Sequence, residues 1–180
     1  STASVVSPSA MLTEDFNTMP STFFDGTGTW YKPSDHPTAS NYHDGYYVLF
    51  AGQLAEVRFK TDNAYDINVR FWYDARAGME NNQLIFPEVL LDGQRCNDDR
   101  PMVMTGFNSA TNAGNNNSSV SREFNSTPFK VLAGTHTLEI IAPFSGSGLF
   151  NTVRIGIDDL AISVVPEPSS YALLLSGLGL

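Results

Sequence analysis

Cysteine is nearly absent from this sequence, because Cys96 is the only one among 180 residues. A single cysteine cannot form a disulfide within the chain, so we expect Cys96 to be free and the fold to depend on its hydrophobic core. Charge is also scarce: Asp, Glu, Lys and Arg make up 16% of the residues, with only 10 Lys and Arg against 19 Asp and Glu. The formal charge of −9 repels polyphosphates, so we expect no nucleic-acid partner.

Helical periodicity is missing before Ser169, and the apolar residues instead recur with period two. Val57 and Phe59 alternate with polar residues, and the same pattern continues through Ile67–Tyr73 after a turn at 61–64. This pattern predicts an antiparallel hairpin with one solvated face. Further strands are predicted at 45–51, 84–91, 129–132, 136–142 and 152–165. The fold class is therefore all-β: an antiparallel two-sheet β-sandwich of the jelly-roll type, with a closed barrel as the alternative.

The turns and tails divide the chain further. Asp92-Gly93 and Ala133-Gly134-Thr135 each offer a residue that tolerates positive φ, as tight turns need. We predict a flexible N-terminal segment at 1–10, a sandwich domain at 11–165 and a tail at 166–180. The chain length fits one domain better than two.

Catalytic signatures are also lacking. The three histidines, His36, His43 and His136, are too scattered for a metal motif, and the sequence has no Gly-x-Ser-x-Gly elbow. Glu88 and Glu139 could form a glycosidase pair, but nothing in the sequence fixes their separation. We therefore predict that the protein is not an enzyme.

What the sequence does contain is a distinctive C-terminal segment, Val165-Pro166-Glu167-Pro168, followed by two serines and a Leu- and Gly-rich run. The two prolines fix φ and remove two backbone donors, so the segment predicts a stiff spacer that ends the last strand. The apolar run at 171–180 predicts a short helix or tail, about half of the roughly 20 residues that cross a bilayer.

This segment resembles the PEP-CTERM sorting signal of Gram-negative bacteria that produce exopolysaccharide. The resemblance implies export, transient contact of the tail with the inner membrane, processing by an exosortase and a secreted or outer-surface location. The run departs from the family pattern because it reaches Leu180 without the terminal Arg cluster. We predict that its leucines pack against protein, in the same subunit or another copy: Leu173, Leu174 and Leu178.

A change of parity marks the last strand. Ile155 and Ile157 occupy odd positions, whereas Leu160 and Ile162 occupy even ones, so one extra residue must be absorbed at Asp158-Asp159. This shift predicts a β-bulge.

The Ile-Asp-Asp step is similar to one that closes the last strand of many carbohydrate-binding-like jelly rolls, which often hold a structural calcium between their first and last strands. Together with Glu14 and Asp15, Asp158 and Asp159 are candidate calcium ligands, and ordinary turn carboxylates are the alternative.

Aromatic residues near predicted loops are candidate contacts for a glycan or a subunit. They include Trp30 and Tyr31, whereas Tyr46 and Tyr47 are predicted to lie in the core. Trp72 shares the parity of Asn68 and Arg70, so it should face outward, and it is also a candidate contact for a glycan or a subunit.

Three functions fit these features. The first is a biofilm-associated structural or matrix protein that assembles into filaments or layers. The second is a carbohydrate-binding module for exopolysaccharide, and the third is a glycan hydrolase.

Overall fold

The computed structural model describes residues 2–35, 45–76, 86–98, 119–143, 154–167 and 176–177. These residues contain a short 3₁₀ turn at Pro33–Asp35 and thirteen strands. The strands are β1 Ser4–Val5, β2 Leu12–Glu14, β3 Phe24–Gly26, β4 Thr29–Tyr31, β5 Tyr46–Phe50, β6 Leu54–Thr61, β7 Tyr65–Arg76, β8 Glu88–Leu91, β9 Gln94–Arg95, β10 Ser119–Asn125, β11 Phe129–Val131, β12 Gly134–Ile141 and β13 Arg154–Val164.

The strands form two sheets. Sheet A has the order β1-β6-β12-β8-β9, with β3 also paired to β6, and sheet C has the order β10-β7-β13-β5-β4, with β11 on β7 and β2 on β13. All pairs are antiparallel except β1 with β6. The predicted all-β, two-sheet sandwich is confirmed.

One prediction about pairing is wrong. β6 and β7 follow each other in the chain but do not form a hairpin, because β6 pairs with β12 in sheet A and β7 pairs with β13 in sheet C. The turn between them crosses from one sheet to the other. This arrangement places the apolar face of β6 across the core from that of β7, so both faces are buried at once.

The core lies between the sheets and contains the apolar residues of alternating parity. Val57 and Phe59 from β6, and Ile67, Val69 and Phe71 from β7, are all buried. Val6 is also fully buried, within the segment 1–10 that was predicted to be flexible. Packing therefore begins before the predicted domain start at residue 11, because β1 pairs with β6 and Val6 adds to the core.

The predicted bulge in the last strand is confirmed. Asp158 pairs with Trp72 and Ala161 pairs with Arg70, so two residues of β13 lie opposite the single residue Phe71. Asp159 takes a positive φ of 48° at this point. The extra residue lets both Ile157 and Leu160 point into the core.

Both predicted turns also have the expected backbone. Asp92 and Gly93, between β8 and β9, have φ values of 51° and 77°, and Gly134 has a φ of 138° at the start of β12. The carboxylate of Asp92 accepts hydrogen bonds from the Thr137 backbone N–H at 2.9 Å and from the His136 ring at 2.7 Å. The β8–β9 turn is thereby tied to β12.

Candidate functional site

Trp72 lies on the outer face of sheet C with 45% of its surface exposed. It belongs to β7, where its neighbours Phe71 and Tyr73 point into the core, and the ladders place it between Glu123 of β10 and Asp158 of β13. The outward direction predicted from parity is confirmed. An exposed indole in the middle of a sheet marks a surface that a ligand or another subunit can cover.

Polar side chains border this indole. The Arg70 Nε lies 3.3 Å from the Glu123 Oε1, with the Arg70 side chain 52% exposed. On the far side of Arg70, the Asn68 Nδ2 donates to the Asn125 Oδ1 at 2.7 Å and to the Ser126 carbonyl at 2.9 Å. We call this surface, formed by Asn68, Arg70, Trp72, Glu123 and Asn125, the Trp72 face.

Toward β5 the outer side of sheet C is closed to solvent. Tyr46 and Val48 are fully buried although they belong to the outward register of β5. Tyr31 is partly buried and stacks on Tyr46, with ring centroids 5.2 Å apart and planes 10° apart. The core-like burial predicted for Tyr46 and Tyr47 is confirmed, and Tyr31 presents only part of its ring to solvent.

Trp30 has a different environment from Trp72. Its indole Nε1 donates to the Phe16 carbonyl at 2.8 Å, and its ring packs against the core. Phe16 itself has a positive φ of 56°, and Gly45 approaches so closely that an added Cβ would clash with the Phe16 carbonyl. The structure gives Trp30 a packing role; a glycan or subunit contact by Trp30 stays a prediction.

Glu14 anchors the loop next to Trp30. Its two carboxylate oxygens accept the backbone N–H groups of Phe16 at 2.9 Å and Ser21 at 2.8 Å. Asn17 extends the same loop, because its side-chain oxygen accepts the Gly45 N–H at 2.8 Å. We call the loop formed by Glu14, Phe16, Asn17, Ser21 and its contacts Trp30 and Gly45 the Trp30 loop.

The four candidate calcium ligands come to neighbouring strands, because β2 pairs with β13 and Glu14 lies opposite Leu160. Asp15 is exposed and accepts the Asn17 N–H at 3.0 Å, and the buried Asp158 accepts the Asp159 N–H at 2.7 Å. Within the described part of the chain, no three His, Cys, Asp or Glu side chains group as a metal site needs. Calcium stays a prediction.

A cavity of about 320 Å³ opens at the edge of the sandwich, on the core side of β7. Sequence reasoning missed it, because its lining comes from three separate parts of the chain. Its aromatic wall consists of Tyr73, Phe86 and Phe124, and its polar rim consists of Arg95, Asn97 and Asp98.

Cys96 also lines this cavity and is 5% exposed. Burial raises the pKa of the Cys96 thiol to about 11, so the thiol is neutral at ordinary pH. A neutral buried thiol acts as a small apolar side chain rather than a nucleophile. Its position inside a polar run, Arg95 to Asp98, was the one signal that this segment folds inward.

The segment that is predicted to be a sorting signal begins directly after β13. The Val165 N–H donates to the Asp66 carbonyl at 2.8 Å, and Pro166 and Glu167 are exposed. Pro168, Leu173, Leu174 and Leu178 lie outside the described residues; Ser176 and Gly177 are helical and exposed. Within the described residues, no helix has the length and apolarity to cross a membrane.

No protein-family model matches this chain, and no curated protein matches it. Among solved structures, it is similar to CBM35 from Paenibacillus barcinonensis, with 16% identity and a TM-score of 0.44 over 87% of this chain and 99% of that one. It is also similar to the catalytic domain of a GH87 alpha-1,3-glucanase in complex with nigerose, with 16% identity and a TM-score of 0.47 over 88% of this chain.

A third similar structure is the catalytic unit of the thermostable GH87 alpha-1,3-glucanase from Streptomyces thermodiastaticus strain HF3-3, with 17% identity and a TM-score of 0.44 over 88% of this chain. This chain spans 29% and 26% of the two glucanase chains. At these identities and TM-scores the likeness carries no conclusion about ligand or activity.

Proposed function

We propose that this chain is an exported cell-surface or matrix protein that binds exopolysaccharide on the Trp72 face. The observation that carries the proposal is the exposed indole of Trp72 on a rigid sheet, bordered by side chains that donate and accept hydrogen bonds. A binding rather than a catalytic role is part of this proposal.

The chemistry of the Trp72 face suits a sugar chain. The apolar C–H face of a pyranose packs on a flat aromatic ring, and its hydroxyl groups need partners of both kinds. Arg70 supplies donors, Glu123 supplies acceptors, and Asn125 supplies both. Because the chain carries a net charge of −9, a neutral polysaccharide fits better than a polyanionic one.

Binding to a panel of polysaccharides tests this proposal. Neutral glucans, mannans and xylans are compared with alginate, a polyanion, by affinity electrophoresis. We expect at least one neutral polymer to retard the protein and the Trp72→Ala variant to bind about tenfold more weakly or worse.

Phe50→Ala is the matched control, since Phe50 is 43% exposed on β5 and lies outside the Trp72 face. We expect its retardation to equal that of the parent protein. Equal retardation of the parent and Trp72→Ala on every polymer would contradict the proposal.

Self-association into filaments or layers is the second candidate, and the edge of sheet C favours it. β10 is the outer strand of this sheet, and in the described ranges it pairs only with β7. A strand edge that lacks a partner can template pairing with another copy, and β10 is seven residues long. Light scattering over a concentration series tests this: mass that rises with concentration supports assembly, and a constant monomer mass contradicts it.

Export and calcium complete the proposal. Replacing Pro166, Glu167 and Pro168 by Ala should remove processing by an exosortase, so that the protein accumulates in the inner-membrane fraction of a Gram-negative host.

Calcium should raise the melting temperature of the parent protein but not that of an Asp158→Asn, Asp159→Asn variant. No effect of calcium on the parent protein would refute the metal site.

A further inference from the structure

The segment Cys96–Asp98 crosses the gap between the two sheets and is fixed at both ends. The Cys96 N–H donates to the Val89 carbonyl of sheet A at 2.8 Å. At the other end, Asp98 forms a backbone bridge with Ser126, and the Thr127 N–H donates to the Asn97 carbonyl at 2.9 Å. We call this segment the strap. Because backbone bonds hold both ends, the cavity beside the strap has a rigid wall.

The lining of the strap cavity combines apolar rings with polar groups at the rim. Tyr73 and Phe124 are buried core side chains, and Phe86 is half-buried at the opening. Arg95 and Asn97 are exposed. Among the described rim residues, Arg95 contributes one positive charge and Asp98 one negative charge, so these groups carry no net charge together and favour a neutral ligand over an ion.

We propose that the strap cavity binds one neutral sugar residue, either a free monosaccharide or the end of a chain. Its volume of about 320 Å³ lies at the lower end of the range for ligand pockets, roughly 300–1,000 Å³, which suits one or two rings rather than a long chain. The ring's C–H face packs on the aromatic wall, and its hydroxyl groups bond to Arg95, Asn97 and Asp98.

This site is separate from the Trp72 face. Successive residues of a strand point to opposite sides of the sheet, so Tyr73 lines the cavity on the core side while Trp72 faces outward. Either site can therefore fail without the other, and the proposal does not rest on the Trp72 face.

Saturation-transfer NMR with free monosaccharides tests the inference. The probes are D-glucose, D-galactose, D-mannose, D-xylose and N-acetyl-D-glucosamine, with D-glucuronate as the charged comparison. We expect at least one neutral sugar to bind and to bind more tightly than glucuronate. The Asn97→Trp variant places a large ring at the rim and should abolish the signal. The variant should keep the strap in place, because the described bond of Asn97 is made by its backbone carbonyl.

Glu88→Trp is the matched control, since Glu88 is exposed on β8 next to the cavity but does not line it. It should bind as the parent does. Arg95→Ala should weaken binding about tenfold by removing a charged donor. This variant tests the inference if Asn97→Trp does not fold. The inference is overturned if no neutral sugar binds, if glucuronate binds best, or if the folded Asn97→Trp or Arg95→Ala variant binds as the parent does.

Discussion

The two tryptophans of this chain occupy regions built in opposite ways. In the Trp30 loop, the indole N–H, both oxygens of Glu14 and the side-chain oxygen of Asn17 all bond to the backbone of the same loop or its neighbours. On the Trp72 face, the indole is 45% exposed and the adjoining Arg70–Glu123 pair is open to water. The first region uses its polar groups for its own architecture, whereas the second presents them to solvent. Residue type alone does not distinguish the two.

The largest expected effect is at Gly45, where the Trp30 loop is tightest. In Gly45→Ala, the new Cβ meets the Phe16 carbonyl, which cannot move without losing its bond to Trp30. We expect a loss of about 3 kcal/mol in the free energy of unfolding, measured by urea denaturation. Gly177→Ala is the control, because nothing lies within 4 Å of its added Cβ. A stable Gly45→Ala variant would mean that the loop is not rigid.

Cys96 lies in the strap, so its reactivity reports whether the strap opens to solvent in the folded protein. Its pKa is raised from 9.0 to about 11 by burial, so at pH 8 the folded protein should hold about 100-fold less thiolate than the unfolded chain. We expect slow labelling by a disulfide reagent in buffer and fast labelling in urea. Equal rates in buffer and urea would show that the strap opens freely.

The same pKa sets a pH dependence of stability. Because the folded value lies above the unfolded one, the stabilisation is present below about pH 9 and is lost as the pH rises through about 11. Urea denaturation at pH 8, 9.5 and 11 measures it. A Cys96→Ser variant should show less of this loss, which separates Cys96 from the tyrosines that also titrate at high pH.

A smaller effect is expected from Trp30→Phe, which keeps a ring but removes the donor to Phe16. The buried carbonyl then lacks its partner, and we expect a loss of about 1–2 kcal/mol. The same substitution at half-exposed Trp72 should cost less. If Trp72→Phe lowers the free energy of unfolding as much as Trp30→Phe does, the two tryptophans do not differ in their contribution to the fold.

The smallest effect is expected from Arg70→Met. Its ion pair with Glu123 is exposed, so the free energy of unfolding should change by less than about 0.5 kcal/mol. Binding of a neutral polysaccharide should nevertheless weaken, because the variant loses the donors beside Trp72. A large loss of stability with no loss of binding would mean that Arg70 stabilises the fold rather than binds the polysaccharide.

The sequence predicts features that depend on neighbours along the chain. The parity of β7 places Trp72 outward, and the parity shift in β13 predicts a bulge at Asp158-Asp159, which agrees with the register shift between Asp158 and Ala161. Both follow from the alternation of side chains within one strand. Positive φ at Asp92 and Gly93 is local in the same sense.

Features that depend on distant partners could not be read in this way. An alternating pattern on β6 and β7 fits a hairpin in one sheet as well as a crossing between two sheets, and only the pairings with β12 and β13 decide. The role of Trp30 depends on a carbonyl fourteen residues away. The strap cavity needs Tyr73, Phe86 and Phe124 from three segments, and no local pattern joins them.

The position of β13 determines when the sandwich can form. It is the last strand of the described residues, yet it lies in the middle of sheet C, between β7 and β5 and against β2. Until β13 has been synthesised, β7 and β5 each carry an unpaired edge, and such edges are sites of aggregation. A chain shortened before Arg154 should therefore be prone to aggregate rather than form a smaller stable domain. We therefore expect the folding of sheet C to depend on β13.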